Sequence, residues 1–267
     1  SAINGGITNP GTSLTWAHTT GAFNNRILFV GVFGASAGDF VTGVTYNGVA
    51  MTLVNKIQVP SDRWVYLYYL LSPAVGTNNV VVSASSSMAI AGDSATYYNV
   101  AQSGQPDAQT TSKTASATTT SASVTTIADN CWTFMVTKGA GGSAPFAGSG
   151  TFRRATGNDM SIFDSAGQIT PAQTTALNAQ TAAGNKAFAS IIASFSPSSD
   201  INLSVSDSVT LTENINIALT HQVNTSDTVT LTENIVRMLE SFINVSDTVT
   251  VTENSNVSIV VSGNPSI

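Results

Sequence analysis

The C-terminal quarter of the chain repeats one nine-residue segment three times, at a fixed spacing of 20 residues. The copies differ only conservatively and run from Ser206 to Asn214, from Ser226 to Asn234 and from Ser246 to Asn254. A spacing without insertions indicates that each copy occupies an equivalent place in a regular structure, because an insertion would break the contact that the copies share. The repeat therefore predicts stacking or self-association.

Each repeat also has the pattern of a short, half-buried strand. Val209 and Leu211 alternate with hydroxyl side chains, and the other two copies reproduce this alternation. The connecting half of the second repeat differs, because its apolar residues have helical spacing. Residues 232–242 are therefore predicted to form either a strand or a short helix. No capping unit is evident, so we expect the repeats to dock on the rest of the chain or to pair with other subunits.

Six carboxylates recur at fixed positions in the repeats: Asp207, Asp227, Asp247, Glu213, Glu233 and Glu253. In an in-register stack, neighbouring copies would lie about 4.8 Å apart. Their repulsion would be about 1 kcal/mol in water and several times larger at low dielectric. The carboxylates must therefore face solvent at turns or bind a cation such as Ca²⁺, which favours oxygen ligands. Asp beside Ser or Thr is an ordinary turn residue, so we expect solvated carboxylates and no cofactor.

Charge is sparse and unevenly distributed along the chain. Residues 1–200 carry eight bases and eight acids, whereas residues 201–267 carry seven acids and only Arg237, so the net charge of −6 comes from the repeats. This distribution offers no basic surface, which argues against nucleic-acid binding and polybasic membrane attachment. No apolar run reaches about 18 residues, so we expect no membrane insertion. Ser1 follows either a processing cut or a removed initiator Met.

Strand and turn signals fill the first 197 residues. The clearest is Asn47-Gly48 between two short apolar segments, which predicts a type I′ hairpin. The apolar runs Arg26–Phe33 and Trp64–Leu71 are typical of strands buried in a sandwich. We therefore predict an all-β chain: a jelly-roll-like β-sandwich head at residues 1–197 and a C-terminal β-repeat tail at residues 198–267.

Two segments of the predicted head are less regular. The Ser- and Thr-rich residues 110–126 have the composition of a flexible linker, but Val124 and Ile127 predict a strand in the second half of this segment. Residues 165–185 are rich in Ala, Gln, Thr and Gly and carry no clear pattern.

The order of segments in the head resembles a known kind of module. The segments are Thr15 to His18, Asn25 to Val30, Val44 to Thr52, Trp64 to Leu71 with Pro73, Asn79 to Val82, and Tyr98 to Val100. Over about residues 10 to 196, they resemble concanavalin A-like or jelly-roll β-sandwich modules of bacterial surface proteins and phage structural or fibre proteins. The resemblance implies a display or adhesion module without a fixed active site. The repeats likewise resemble tandem tracts of large surface and phage proteins.

The titratable residues form no catalytic pattern. His18 and His221 lie in different regions without a motif, and the single Cys131 begins an apolar strand, as expected of a buried, inert thiol. A single cysteine also allows no intrachain disulfide. Asp159 and Asp164 lie at the two ends of one predicted strand and point to opposite faces, so they cannot easily share a substrate. We expect no enzymatic activity.

Sugar binding requires only aromatic and amide side chains at a loop surface. Trp16, Trp64, Tyr66 and Tyr68 are the candidate glycan contacts, and core positions are the competing interpretation for all four. The neighbouring Arg153 and Arg154 are expected to form a solvated pair at the rim of the sandwich rather than a ligand clamp.

Together these features predict a non-enzymatic structural protein of a virion or extracellular surface. A phage decoration or fibre protein, or a subunit of a surface filament, are the concrete forms of this hypothesis. Its expected partners are copies of itself and other virion or surface proteins. A carbohydrate-binding adhesin module is the alternative function, with glycans as the partner.

Overall fold

The chain is all-β, as predicted. A computed structural model describes residues 1–59, 63–140, 145–156, 160–182 and 184–198, and beyond them the strand residues 210–212, 220–223, 229–232, 239–243, 249–252 and 259–261. No helix occurs among these residues. Contacts divide the chain into two compact units, Ser1–Ser198 and Ser199–Ile267.

Fifteen strands lie in the N-terminal unit. They are Ala2–Thr20 (β1), Ile27–Ala35 (β2), Val41–Tyr46 (β3), Val49–Ala50 (β4), Thr52–Val59 (β5), Arg63–Leu71 (β6), Gly76–Tyr97 (β7), Ala108–Ala117 (β8), Thr119–Thr125 (β9), Trp132–Gly139 (β10), Phe146–Ala147 (β11), Thr151–Thr156 (β12), Met160–Asp164 (β13), Thr174–Gln180 (β14) and Lys186–Phe195 (β15).

The first half of this unit, residues 1–100, is one sheet that folds back on itself. Its longest strand, β7, pairs with β1 along one edge, while its other edge pairs first with β3 and then with β2. The sheet continues from β2 through β6 to β5. One apolar cluster, including Trp16, Val30, Tyr46, Tyr68 and Val82, fills the space between the two layers. Asn47 and Gly48 have φ of 50° and 76° in the β3–β4 hairpin, which confirms the predicted turn.

The second half, residues 101–198, builds the same two layers from two separate sheets. One has the order β12-β13-β10-β15-β8 and the other the order β11-β14-β9. Ala122, Val124, Met135, Phe163 and Leu177 belong to the apolar cluster between them. The Ser- and Thr-rich segment is therefore two strands, β8 and β9, rather than a linker followed by one strand. Within residues 165–185, β14 is the strand that the sequence left unassigned.

The two halves share one topology. β1 corresponds to β8 and β9, β2 to β10, β3 to β11, β5 to β12, β6 to β13, and β7 to β14 and β15. Every pairing in the first half, except that of the short β4, has its counterpart in the second. The bulge between Leu53 and Asn55 recurs between Phe152 and Arg154. The N-terminal unit therefore contains one β topology twice.

The halves pack on each other through equivalent faces. Phe29 pairs with Tyr69 and Ala95, and Phe134 pairs with Asp164 and Ala193 at the corresponding positions. The rings of Phe29 and Phe134 stack on each other, with centroids 4.7 Å apart. Contact between equivalent residues is the property of a two-fold axis, so the halves are related by pseudo-two-fold symmetry.

This packing makes four layers of sheet and buries the two middle layers on both faces. The predicted sandwich packing is therefore present in coarse form, with apolar clusters inside each half and a further cluster between the halves. Double-sided burial explains why β2, β10, β13 and β15 consist almost entirely of buried residues instead of alternating ones. The apolar cluster between the halves includes Phe29, Leu67, Phe134 and Ile162.

Six short strands lie in the C-terminal unit: Thr210–Thr212 (β16), Thr220–Val223 (β17), Val229–Thr232 (β18), Leu239–Ile243 (β19), Val249–Thr252 (β20) and Ile259–Val261 (β21). They form two parallel sheets, β16-β18-β20 and β17-β19-β21. Each residue pairs with the one 20 positions later, as Leu211 does with Leu231 and Leu231 with Val251. Leu239–Ile243 is a strand, so the helical alternative for residues 232–242 is wrong over its C-terminal part; residues 233–238 lie outside the described residues.

Candidate functional site

Three of the four predicted glycan-contact residues are core residues. Trp16, Tyr66 and Tyr68 are at most 7% exposed and belong to the cluster inside the first half, so they present no ring face to a sugar. The Trp16 Nε1–H donates to Ser94 Oγ at 2.9 Å, which satisfies its only polar atom. Trp64 is partly buried against the same cluster, and its buried Nε1 has no hydrogen-bond partner. The prediction of these residues as a glycan surface is therefore corrected to a structural function for Trp16, Tyr66 and Tyr68.

His18 is a fully buried member of a hydrogen-bond chain. Its Nδ1 lies 2.8 Å from Ser94 Oγ, and its Nε2 lies 2.6 Å from Thr96 Oγ1. Burial lowers the pKa of His18 to about 4, so the imidazole is neutral at neutral pH. This is the environment of a satisfied structural histidine.

Cys131 is also buried, between the loop that precedes β10 and the start of β8. Its Sγ–H donates to the Ala128 carbonyl at 3.1 Å, and its Sγ lies 3.5 Å from Asp107 Oδ2. Burial, together with the Asp107 charge, raises the pKa of the thiol to about 12. A thiol with this pKa is not a nucleophile at neutral pH.

A buried polar group lies where the two halves meet at one end of the unit. Asp164, which is 1% exposed, accepts hydrogen bonds from the Tyr97 hydroxyl at 2.6 Å and from Arg153 Nη2 at 3.0 Å. The Arg153 Nε–H and the Ala166 N–H also donate to it. Burial and the Asp164 charge raise the pKa of Tyr97, so its hydroxyl stays protonated. We call these three side chains, Tyr97, Arg153 and Asp164, the polar corner.

The polar corner borders a cavity of about 650 Å³ between the halves, which we call the interface cavity. Tyr97, Phe134 and Phe195 line it on the side of the core, and Tyr98, Trp132 and Arg153 line it nearer the surface. Asn99, Asn130 and Gln168 are also among its lining residues. Its size is that of small-molecule sites in proteins.

The pseudo-two-fold symmetry supplies an internal comparison for this site. Tyr69 is equivalent to Asp164, and Phe195 to Tyr97, because each occupies the same register position in its sheet. Val54 lies in the bulge of the first half, at the position that Arg153 occupies in the bulge of the second half. Val54 and Tyr69 pack on the apolar cluster, and Tyr69 lies 6.4 Å from Phe195 between ring centroids. The equivalent corner of the fold therefore holds no ion pair.

The remaining predicted site residues divide between the described and undescribed parts of the chain. Arg153 is not a solvated rim residue, because it is bound to Asp164; Arg154 is exposed, and its Nε–H donates to the Ala2 carbonyl at 2.9 Å. Asp159 and the repeat carboxylates Asp207, Asp227, Asp247, Glu213, Glu233 and Glu253 lie outside the described residues. Within the described ranges, no group of three or more His, Cys, Asp or Glu side chains is placed to hold a metal ion.

Comparisons of the chain with protein-family models, with curated proteins and with solved structures give no match. In the part of the chain that the structure describes, no helix is long and apolar enough to span a membrane.

Sequence reasoning missed the residues that line the interface cavity. In the sequence, Asn130 ends the turn-like segment Ala128-Asp129-Asn130, and Trp132 belongs to the apolar strand that Cys131 begins, so neither residue carries a site signal of its own. The sequence does contain a signal that links residues 130–139 of the second half to residues 25–34 of the first half. Asn25, Phe29 and Gly34 have the same spacing as Asn130, Phe134 and Gly139, and the two asparagines have φ of 53° and 60°. This spacing could have revealed the internal duplication, and with it the places where the halves differ.

Proposed function

We propose that this chain is a non-enzymatic structural protein of a virion or extracellular surface assembly and that its 20-residue repeats mediate self-association. In concrete terms, the protein is proposed to be a phage decoration or fibre protein, or a subunit of a surface filament. The jelly-roll-like relationship suggested by the sequence belongs to the same proposal, and the two-layer packing within each half of the N-terminal unit supports it.

The observation that carries this proposal is the parallel pairing of residues 20 positions apart. In such a stack, each repeat pairs through one strand edge with the repeat before it and through the other edge with the repeat after it. Among the described strands, β16 and β20 are the outer strands of one sheet and β17 and β21 those of the other, so each sheet offers complementary ladders at its two edges. Unpaired strand edges are templates for further strands. A head-to-tail contact of this kind is heterologous and continues into a filament or closes into a ring.

Association through the repeats can be tested with one position in the middle strand of its sheet. Thr230 lies in β18, which pairs on both sides. Proline lacks the N–H that the ladder needs, whereas valine is a good strand former. We expect Thr230→Pro, and a chain that ends at Ser198, to sediment as monomers. The matched control Thr230→Val should keep the concentration-dependent mass of the unaltered chain.

Sedimentation velocity over a concentration series distinguishes the outcomes. Equal mass distributions for Thr230→Pro and Thr230→Val would show that the ladder is not the association surface. A chain ending at Ser198 that still associates would assign assembly to the N-terminal unit instead.

A further inference from the structure

We propose that the interface cavity is a binding site for a neutral saccharide. This inference goes beyond the structural function proposed above and does not depend on it, because the cavity lies within the N-terminal unit alone. It transfers the carbohydrate-binding function from the buried aromatic residues Trp16, Tyr66 and Tyr68 to a different set of side chains.

The side-chain charge on the cavity wall is internally neutralised. Among the described residues that line the cavity, Arg153 is the only one with a charged side chain. Burial and the Arg153 charge lower the pKa of the α-amino group of Ser1, another lining residue, which disfavours its charged form. The Arg153 guanidinium is bound by two nitrogens to the Asp164 carboxylate, which the Tyr97 hydroxyl and the Ala166 N–H also bind. An anionic ligand would find the arginine already paired, and a cationic ligand would find the carboxylate already saturated. The cavity therefore favours an uncharged ligand.

The side chains around this neutral group are those that suit a polyhydroxylated ring. Trp132 is partly exposed, and the 55% exposed Tyr98 ring stacks on Phe23 at a centroid distance of 4.8 Å. Aromatic rings of this kind offer flat apolar faces to the C–H groups of a sugar. Each amide of Asn99, Asn130 and Gln168 can both donate and accept hydrogen bonds. Within the described part of the chain, none of these three amide side chains has a hydrogen-bond partner.

The backbone that carries these amides is anchored by neighbouring strands. Asn99 and Asn130 both have left-handed backbone conformations, with φ of 59° and 60°. An isolated bridge between Val100 and Pro197 anchors the residue after Asn99, and a second bridge between Cys131 and Ile169 anchors the residues next to Asn130 and Gln168. These residues therefore lie on an ordered backbone, so binding has to order only their side chains.

The equivalent residues of the other half show that packing alone does not require this arrangement. Ile27 occupies the position of Trp132 and is fully buried. Asn25 occupies the position of Asn130, and its side-chain amide donates to Ser198 Oγ at 2.8 Å. In the other half, the same positions are thus filled with apolar side chains or satisfied by the protein itself. In the interface cavity, they are left open to a ligand.

The test uses the full chain and a panel of neutral sugars: glucose, galactose, mannose, N-acetylglucosamine, N-acetylgalactosamine and disaccharides of these. N-acetylneuraminic acid and glucuronic acid serve as the anionic comparison. Saturation-transfer NMR identifies binders, and titration calorimetry gives their affinities. We expect at least one neutral saccharide to bind saturably and the two acids not to bind.

The decisive variants are Asn130→Gly and the matched control Asn47→Gly. Glycine accepts the left-handed backbone at both turns, so each variant removes an amide without straining the chain. Loss of the amide hydrogen bonds should weaken binding roughly tenfold for Asn130→Gly, whereas Asn47→Gly should bind like the unaltered chain. Gln168→Ala, at an exposed position, should weaken binding similarly.

Three results would overturn the proposal: no binding of any neutral sugar in the panel, binding of the acids alone, or equal affinities for Asn130→Gly and Asn47→Gly. Because none of these measurements depends on the repeats, they leave the association experiment with Thr230 variants unaffected.

Discussion

Gly31 lies at a close contact between the two halves of the N-terminal unit. A Cβ atom at this position would lie 2.9 Å from Val136 Cγ2 and 3.3 Å from Ile162 Cγ2. Val136 is the equivalent of Gly31, so a small residue on one side accommodates a large one on the other. Gly31→Ala should therefore lower the free energy of unfolding by about 1–3 kcal/mol through overpacking.

A double-mutant cycle in urea checks this prediction. Val136→Ala combined with Gly31→Ala should recover part of the loss, because the two positions share one contact. Gly43→Ala is the matched control, since Gly43 also lies in a strand and a Cβ there would meet no atom within 4 Å. If Gly31→Ala were as stable as Gly43→Ala, the close approach of the two halves would be refuted.

His18 should make the stability of the N-terminal unit depend on pH. Its pKa is about 4 in the folded protein, against 6.5 for an unperturbed histidine. Between these values the unfolded chain binds the proton and the folded chain does not, so stability falls as pH falls from 6.5 towards 4. The contribution lost across this window is about 3 kcal/mol.

His18→Gln removes this titration, and His221→Gln serves as its control. The unfolding free energies of the unaltered chain and of His18→Gln, measured in urea at neutral pH and near pH 4.5, should converge as the pH is lowered. The carboxylates titrate in both proteins, so their contributions to the free energy of unfolding cancel in the difference. A difference that does not change with pH would mean that His18 is not buried in its neutral form.

At the scale of single elements, the sequence predicts strands well where their composition is apolar or their turns are explicit. The runs Arg26–Phe33 and Trp64–Leu71 correspond to β2 and β6, because β-branched and aromatic residues suit buried strands. β8 was obscured by its composition, because the strand consists largely of Ser, Thr and Ala. Its exposed residues alternate with partly buried ones, and pairing with β15 rather than side-chain hydrophobicity defines it.

Asp164 shows why the candidate site was harder to predict than the strands. As the last residue of β13, it was interpreted from the sequence as one end of a strand with acids facing opposite ways. Its partner Arg153 lies on the paired strand β12 of the same half, but Tyr97 comes from β7 in the other half and meets Asp164 only when the halves pack. No local pattern encodes such a contact. The equivalent corner of the first half differs from the polar corner, because Val54 and Tyr69 pack there on the apolar cluster.

At the scale of the whole molecule, the sequence displays one repetition and conceals another. The period of 20 residues in the C-terminal unit is visible because the copies are nearly identical. The duplication in the N-terminal unit is hidden because most equivalent residues differ, and only sparse matches such as Phe29 with Phe134 remain. Which sheet faces meet is decided by long-range packing, so two packed halves could not be distinguished from one sandwich.

The shared interface predicts that the two halves unfold together. Leu67 and Ile162 occupy equivalent positions, opposite Gly31 and Val136, and both are fully buried in the cluster between the halves. Leu67→Ala and Ile162→Ala should each lower the free energy of unfolding by about 2–5 kcal/mol. Leu53→Ala, at a leucine that is 39% exposed, is the control and should have a much smaller effect.

Hydrogen exchange followed by mass spectrometry shows where that stability is lost. Because each substitution weakens a surface that both halves share, Leu67→Ala should increase exchange in β10 and β15 as well as in β2 and β6. Ile162→Ala, in the second half, should likewise increase exchange in the first half as well as in its own. Faster exchange confined to the substituted half would show that each half is stable without the other, and that the pseudo-two-fold contact is not part of one cooperative core.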